Sequence, residues 1–216
     1  KIAIYAVSFH AGAGEIMAHE SKNYDHLKGG KLTGLSDSQL EQHFTLYKGY
    51  VAKLNEIETK LTEVDSTKAN YSFNEFSELK RREAVAFNGS FLHELYFENL
   101  GPDKSIAPEL QRALDAQGGS AKVLERLSAT ALCGPGWALL THNRRDGGLH
   151  TYFIAEHHIG LPIDQDILIA LDSWEHAFMI DYGIKRPNYI DTFIKNINWG
   201  EVSRRFAQVQ TAIGHT

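Results

Sequence analysis

The run Leu171-Asp172-Ser173-Trp174-Glu175-His176-Ala177-Phe178 places a carboxylate and an imidazole four residues apart, directly after the short apolar stretch Ile167 to Leu171. Such a stretch reads as a buried strand, so Asp172 falls at a strand end and His176 one turn into the segment that follows. If that segment is helical, the two groups share a face. A strand end delivering both inward could hold a metal. The competing reading makes Asp172 a helix cap and His176 a partly buried helical histidine, and for the pair taken alone this plainer reading has the better claim.

The elements that must position these groups can be read from periodicity. Residues 1 to 34 show no sustained period and several breakers, among them Gly29-Gly30 and Gly34, and read as an irregular arm wrapped on the body. Ser36 or Asp37 is a cap for a long helix from Gln39 to about Thr62, whose apolar positions Leu40, Phe44, Tyr47, Val51, Leu54, Ile57 and Leu61 recur at helical spacing, with His43 near its start. A second helix is expected from about Asn74 to Leu100, carrying His93, with Asn88-Gly89 as a place for a bend and Gly101-Pro102 as its end. Two long helices joined by a short link form an antiparallel hairpin. Past a joint at Pro102 to Ser105, helices are expected at Pro108 to Gln117 and Ser120 to Leu132. Strands follow at Trp137 to His142, Leu149 to Ala155 and Asp166 to Leu171, the first two joined by a turn at Asp146-Gly147-Gly148. Helices at Trp174 to Tyr182, Asn188 to Ile194 and Trp199 to Ile213 close the chain. The expected fold is α+β: a 1–34 arm, a 35–101 helical hairpin domain, and a 102–216 domain with a three-stranded antiparallel sheet.

Composition excludes several function classes. With 216 residues, 43% hydrophobic and 23% charged, the chain has the balance of a globular protein with one substantial core or two small ones. A net charge of −5 gives no case for binding nucleic acid or an anionic membrane, and Arg81-Arg82, Arg144-Arg145 and Arg204-Arg205 are isolated pairs rather than a phosphate track. Local steering of a small anion into a cleft remains compatible with that charge. The one cysteine, Cys133, rules out an internal disulfide framework and reads as a buried structural thiol. No apolar run approaches the ~20 residues of a membrane span. Residues 1–14 faintly suggest a targeting segment, interrupted by His10. The expected address is cytoplasmic, a trimmed or exported N-terminus being the other reading.

The company kept by the Asp172/His176 pair is specific. Trp174, Glu175, Asp181-Tyr182, Arg186-Pro187-Asn188-Tyr189-Ile190, Asn198-Trp199 and Arg204-Arg205-Phe206 together resemble the C-terminal signature of the iron/manganese superoxide dismutases. In that family the Asp and His of this motif are two of four protein ligands to the metal. The stretch SDSQLEQHFTLYKGYVAKLN (36–55) is similar to the family's first ligand segment and FNGSFLHELYFENL (87–100) to its second. The resemblance therefore names His43, His93, Asp172 and His176 as the metal set. Three imidazoles, a carboxylate and one solvent suit iron or manganese, with iron slightly favoured, although the four side chains alone could also close tetrahedrally on zinc. The implied activity is disproportionation of superoxide; the alternative is a non-catalytic relative that keeps the fold as a structural or binding subunit. A homodimer is implied, with Glu175 reaching His176 of the partner subunit, or a tetramer built on it.

Several positions depart from the family's usual pattern. The glutamine that contacts the solvent on the metal normally lies four residues before the second ligand or on the sheet side; the first position is Gly89 here, and FIAEHHIGLP (153–162) puts His157 at the second. His157 is thereby implied as a donor that tunes the metal, with its other ring nitrogen held by Tyr50 or a backbone group. A gateway tyrosine normally follows the first ligand by eight residues, where this chain has Val51; one deletion makes Tyr50 that residue and places Tyr47 where the family often has a histidine. Met179 stands where the family has a tyrosine that reaches across the dimer. Trp137 and Trp174 match the aromatic wall around the metal.

Overall fold

A computed structural model describes residues 18–213; the faint targeting signal in residues 1–14 lies outside them. Helix α1, Asp37–Glu63, begins where the Ser36 hydroxyl accepts a hydrogen bond from Gln39 N at 3.1 Å, and it buries Leu40, Phe44, Tyr47, Val51, Leu54 and Ile57 along one stripe. Helix α2, Glu75–Glu98, starts in the same way at Asn74, whose side chain accepts from Ser77 N. Ring contacts of His43 with Phe97 and of Tyr47 with His93, and the seating of Tyr50 on Gly89, show the two helices running antiparallel. Helix α2 passes through Asn88-Gly89 without interruption. Gly89 serves a different end: a Cβ there would lie 2.5 Å from Tyr50 Cδ1, so the missing side chain is what lets the Tyr50 ring lie against α2.

Helices α3, Pro108–Asp115, and α4, Ser120–Ala131, lead into a sheet of β1, Trp137–Asn143, β2, Leu149–Ile154, and β3, Gln165–Asp172. All pairings are antiparallel and the strand order is β2-β1-β3. As the central strand, β1 is buried at Trp137 through His142. The chain closes with α5, Met179–Tyr182, α6, Arg186–Lys195, and α7, Trp199–Ile213. One hydrophobic cluster runs from Tyr24 in the arm through α1, α2 and the sheet to Phe206 on α7, and a smaller one joins Leu54 and Ile57 of α1 to Ala86 of α2. No helix among the described residues is long and apolar enough to cross a membrane.

Two expectations are corrected. The segment Trp174 to Tyr182 is not one helix: Glu175–Ala177 form a single 3₁₀ turn, the backbone breaks at Phe178 (φ −148°), and α5 is four residues long. Local side-chain bonds outcompete the helix here, since Asp172 accepts from Trp174 N at 2.9 Å and the Ser173 hydroxyl donates to the carbonyls of Gly134 and Gly136. Cys133 is exposed rather than buried. Helix α4 buries Val123, Leu127 and Ala131, a stripe at four-residue spacing that leaves Cys133 off the core face.

Asn99, just past the end of α2, ties that helix to β3. It is fully buried; its amide donates to Leu168 O at 3.1 Å and its carbonyl oxygen accepts from Ala170 N at 2.9 Å and from Arg205 at 3.2 Å. It thus stands in for a missing strand on the outer edge of β3, the strand that carries Asp172. Replacing Asn99 with Ala leaves Ala170 N unpaired, while Arg205 still donates to Leu168 O, and urea unfolding should show a loss of about 2 kcal/mol; a loss below about 1 kcal/mol would mean that water takes over the strand edge.

Candidate metal centre

Four elements converge on one point. His43 comes from α1, His93 from α2, Asp172 from the last position of β3 and His176 from the 3₁₀ turn after it. One ligand atom from each lies within 4.8 Å of every other. Asp172 Oδ2 is 3.2 Å from His43 Nε2, 3.0 Å from His176 Nε2 and 3.6 Å from His93 Nε2. His43, His93 and Asp172 are buried, and the His176 side chain is 30% exposed, which places the open side of the cluster there.

Protonation states follow from the partners. His93 Nδ1 lies 2.6 Å from the carbonyl oxygen of Gly89, which can only accept, so the ring proton sits on Nδ1 and Nε2 carries a bare lone pair. That buried Nε2 has no hydrogen-bond partner among the described residues and lies 3.6 Å from Asp172 Oδ2. Burial lowers the pKa of His43 and, more strongly, of His93, keeping both in the neutral form that ligates. Burial alone would raise the Asp172 pKa, but His176 and His43 beside it hold it well below the usual carboxylate range. Burial also works against charge on His176, yet Asp172 outweighs it and raises that pKa. A buried carboxylate facing three imidazoles, one with an unused lone pair, fits a divalent or trivalent cation with a preference for nitrogen and oxygen.

The residues around the cluster fix its shape. Gln39, one turn before His43 on α1, donates to the carbonyl oxygen of His176 at 2.6 Å and accepts from Ile180 N at 3.1 Å, pinning the 3₁₀ turn to α1. Tyr189 on α6 donates to the Asp172 carbonyl at 2.7 Å. Neither role was visible in the sequence, although the four-residue spacing of Gln39 and His43 marks a shared helix face. Trp137 meets the His93 ring edge-on at 5.1 Å, and Trp174 stacks on His176 at 6.4 Å, as a wall on two sides.

Tyr50 and His157 sit together beside this cluster. His157 Nε2 is 2.6 Å from the Tyr50 hydroxyl, and the Tyr50 ring lies 5.3 Å from that of His93. Tyr50 thus meets one ring nitrogen of His157, as expected, and the other is held by the Trp137 indole, whose Nε1 donates to Nδ1 at 2.9 Å. An indole can only donate, so the imidazole proton must sit at Nε2. Burial lowers the His157 pKa and raises that of Tyr50, leaving both neutral. Tyr47 is buried, donating to Glu94 at 2.9 Å and accepting from Lys22 N at 2.9 Å. Glu175 pairs with Arg186 at 3.0 Å, is half exposed, and lines a groove with exposed Met179 and Ile184.

Comparison with known proteins agrees with this geometry. The family model for iron/manganese superoxide dismutases, C-terminal domain, matches residues 106–205. A superoxide dismutase (Fe) of Aquifex aeolicus is 40% identical over 201 residues, covering 90% of this chain and 94% of its own. A superoxide dismutase (Fe) of Cupriavidus metallidurans is 39% identical, with 82% and 91% covered, and a superoxide dismutase (Mn) of Mycolicibacterium smegmatis is 30% identical, with 73% and 77% covered. With relatives this similar over nearly its full length, and with three imidazoles and a carboxylate drawn together from distant parts of the sequence, the chain belongs to the iron/manganese superoxide dismutase family.

Proposed function

We propose that this protein disproportionates superoxide at a mononuclear iron or manganese centre held by His43, His93, Asp172 and His176. The observation that carries the reading is the four-residue cluster, three of its members buried, with a bare His93 Nε2 that has no hydrogen-bond partner among the described residues. Iron is favoured, because the relatives at 39–40% identity are named for iron. When bound, the metal supplies an alternation between two oxidation states that takes an electron from one superoxide and gives it to a second, yielding dioxygen and hydrogen peroxide.

The chain's own residues supply charge and protons. The Asp172 carboxylate favours the more positive metal state, and His43 and His93, kept neutral by burial, add no competing charge. Peroxide leaves with two protons. His157 holds its proton at Nε2, against the Tyr50 oxygen, so the pair forms a short chain of exchangeable protons beside the cluster. Trp137 prevents the imidazole from flipping to the opposite tautomer by occupying Nδ1.

The exposed Glu175 and its apolar surroundings support a homodimer in which Glu175 orients His176 of the partner subunit, as outer carboxylates orient ligating histidines. In that arrangement each subunit completes its neighbour's site.

Adding iron or manganese to chelator-treated protein should raise its unfolding free energy by about 4 kcal/mol at a thousandfold excess over Kd. His93→Ala should abolish that shift, and a protein that takes up only zinc and consumes no superoxide would overturn the proposed activity. Glu175→Ala should weaken metal affinity by roughly 10- to 100-fold and shift sedimentation toward monomer; a wild-type protein that is monomeric and fully active would refute the interface. His157→Ala should keep its metal and lose roughly a hundredfold in turnover, while His157→Gln should keep the metal and move the reduction potential. Wild-type turnover and potential in the Ala variant would remove His157 from the site.

A further inference from the structure

The residue that tunes this centre sits in an unpromising place. His157 belongs to the connection between β2 and β3, where Ala155, Glu156 and His158 to Leu161 are all exposed and His157 alone among them is buried. Packing of its neighbours therefore does not hold it. A ring whose function depends on the direction of one N–H needs its backbone fixed as well as its nitrogens, because a shift of the loop carries the ring with it.

The structure assigns that duty to Asn88: its side-chain amide donates to the carbonyl oxygen of His157 at 2.7 Å, and we propose that this bond makes Asn88 the positioning residue for His157. The inference rests on the role given to His157 above. Asn88 stands five residues before His93 on α2, roughly 7.5 Å along the helix axis. One rigid helix thus carries a metal-facing imidazole and holds the loop that carries its tuning partner. Gly89, the next residue, accepts from His93 Nδ1 through its carbonyl and makes room for the Tyr50 ring, which in turn meets His157 Nε2. The dipeptide Asn88-Gly89 therefore sets both members of the His157/Tyr50 pair against the same helix. With Trp137 on Nδ1, Tyr50 on Nε2 and Asn88 on the backbone, three elements hold His157.

The test begins on the metal-free protein. In ¹⁵N-histidine NMR, the wild-type His157 should show one tautomer, with a bare Nδ1 and a protonated Nε2. Asn88→Leu, which keeps similar volume without the donor, and Asn88→Asp, which keeps the shape and removes the donor, should both show mixed tautomers or exchange broadening at His157. Asn88 is only partly buried on a helix surface and Leu favours helix, so the Leu variant should fold. In the metal-loaded enzyme either change should lower kcat roughly 10- to 100-fold at unchanged metal content. On a His157→Ala background Asn88→Leu should cost nothing further, since a residue acting through another has no separate effect once its target is gone. A wild-type imidazole spectrum in both variants, or a full additional loss on the His157→Ala background, overturns the proposal. If Asn88→Leu loosens the ring while His157→Ala retains full turnover, the tether stands and the role given to His157 falls.

Discussion

One oxygen atom organises this molecule. Asp172 Oδ2 is buried at a strand end with three imidazole nitrogens within 3.6 Å of it. A carboxylate in such a place is tolerated only when charge or strong donors surround it. Those partners come from α1, α2 and the 3₁₀ turn, so the fold must hold two long helices against the end of β3. Asn99 and Arg205 bind the outer edge of that strand, Tyr189 holds its last carbonyl, and Gln39 holds the turn that follows. Each of these bonds fixes a backbone rather than a ligand side chain.

The arm at 18–34 belongs to the same construction. Its Lys22 gives a backbone N–H to Tyr47 and an ammonium to Glu94 and Glu98, while Arg205 reaches Glu98 from α7. Tyr47 stands where the resemblance leads one to look for a histidine, and it turns to Glu94, the neighbour of His93 along α2. This network is closed within one chain.

Much of this was legible in the sequence. The helical stripes of α1 and α2 and the apolar runs of β1 and β3 are strong periodic signals; the signature from Asp172 to Phe206 pointed to two ligand candidates, and the segments 36–55 and 87–100 pointed to the other two. What escaped was local or relational. The 3₁₀ turn at Glu175–Ala177 is set by bonds of Asp172 and Ser173 that no periodicity encodes. The exposure of Cys133 turns on the phase of α4 at its last residues, where a shift of one position changes the face. Trp137 read as a wall, and its indole N–H as the tautomer lock of His157 could be seen only once β1 and the 155–164 connection were placed together. Gln39 and Asn88 are ordinary polar helix residues by type; only their partners 137 and 69 residues away give them meaning.

Gly89 bears on how this site could change over generations. Relatives with a helix-side glutamine carry a long side chain at that position, yet here even a methyl group would lie 2.5 to 2.9 Å from three ring atoms of Tyr50. Two sides of that ring are taken, by His93 and His157 packed 5.3 and 4.8 Å from its centre. A single substitution at 89 therefore displaces the Tyr50 ring before it can add a new group, and substitution at 157 first removes the N–H that meets Tyr50. The two arrangements are separated by a fitness valley that at least two coordinated changes must cross, and a lineage that has settled on one side will tend to stay there.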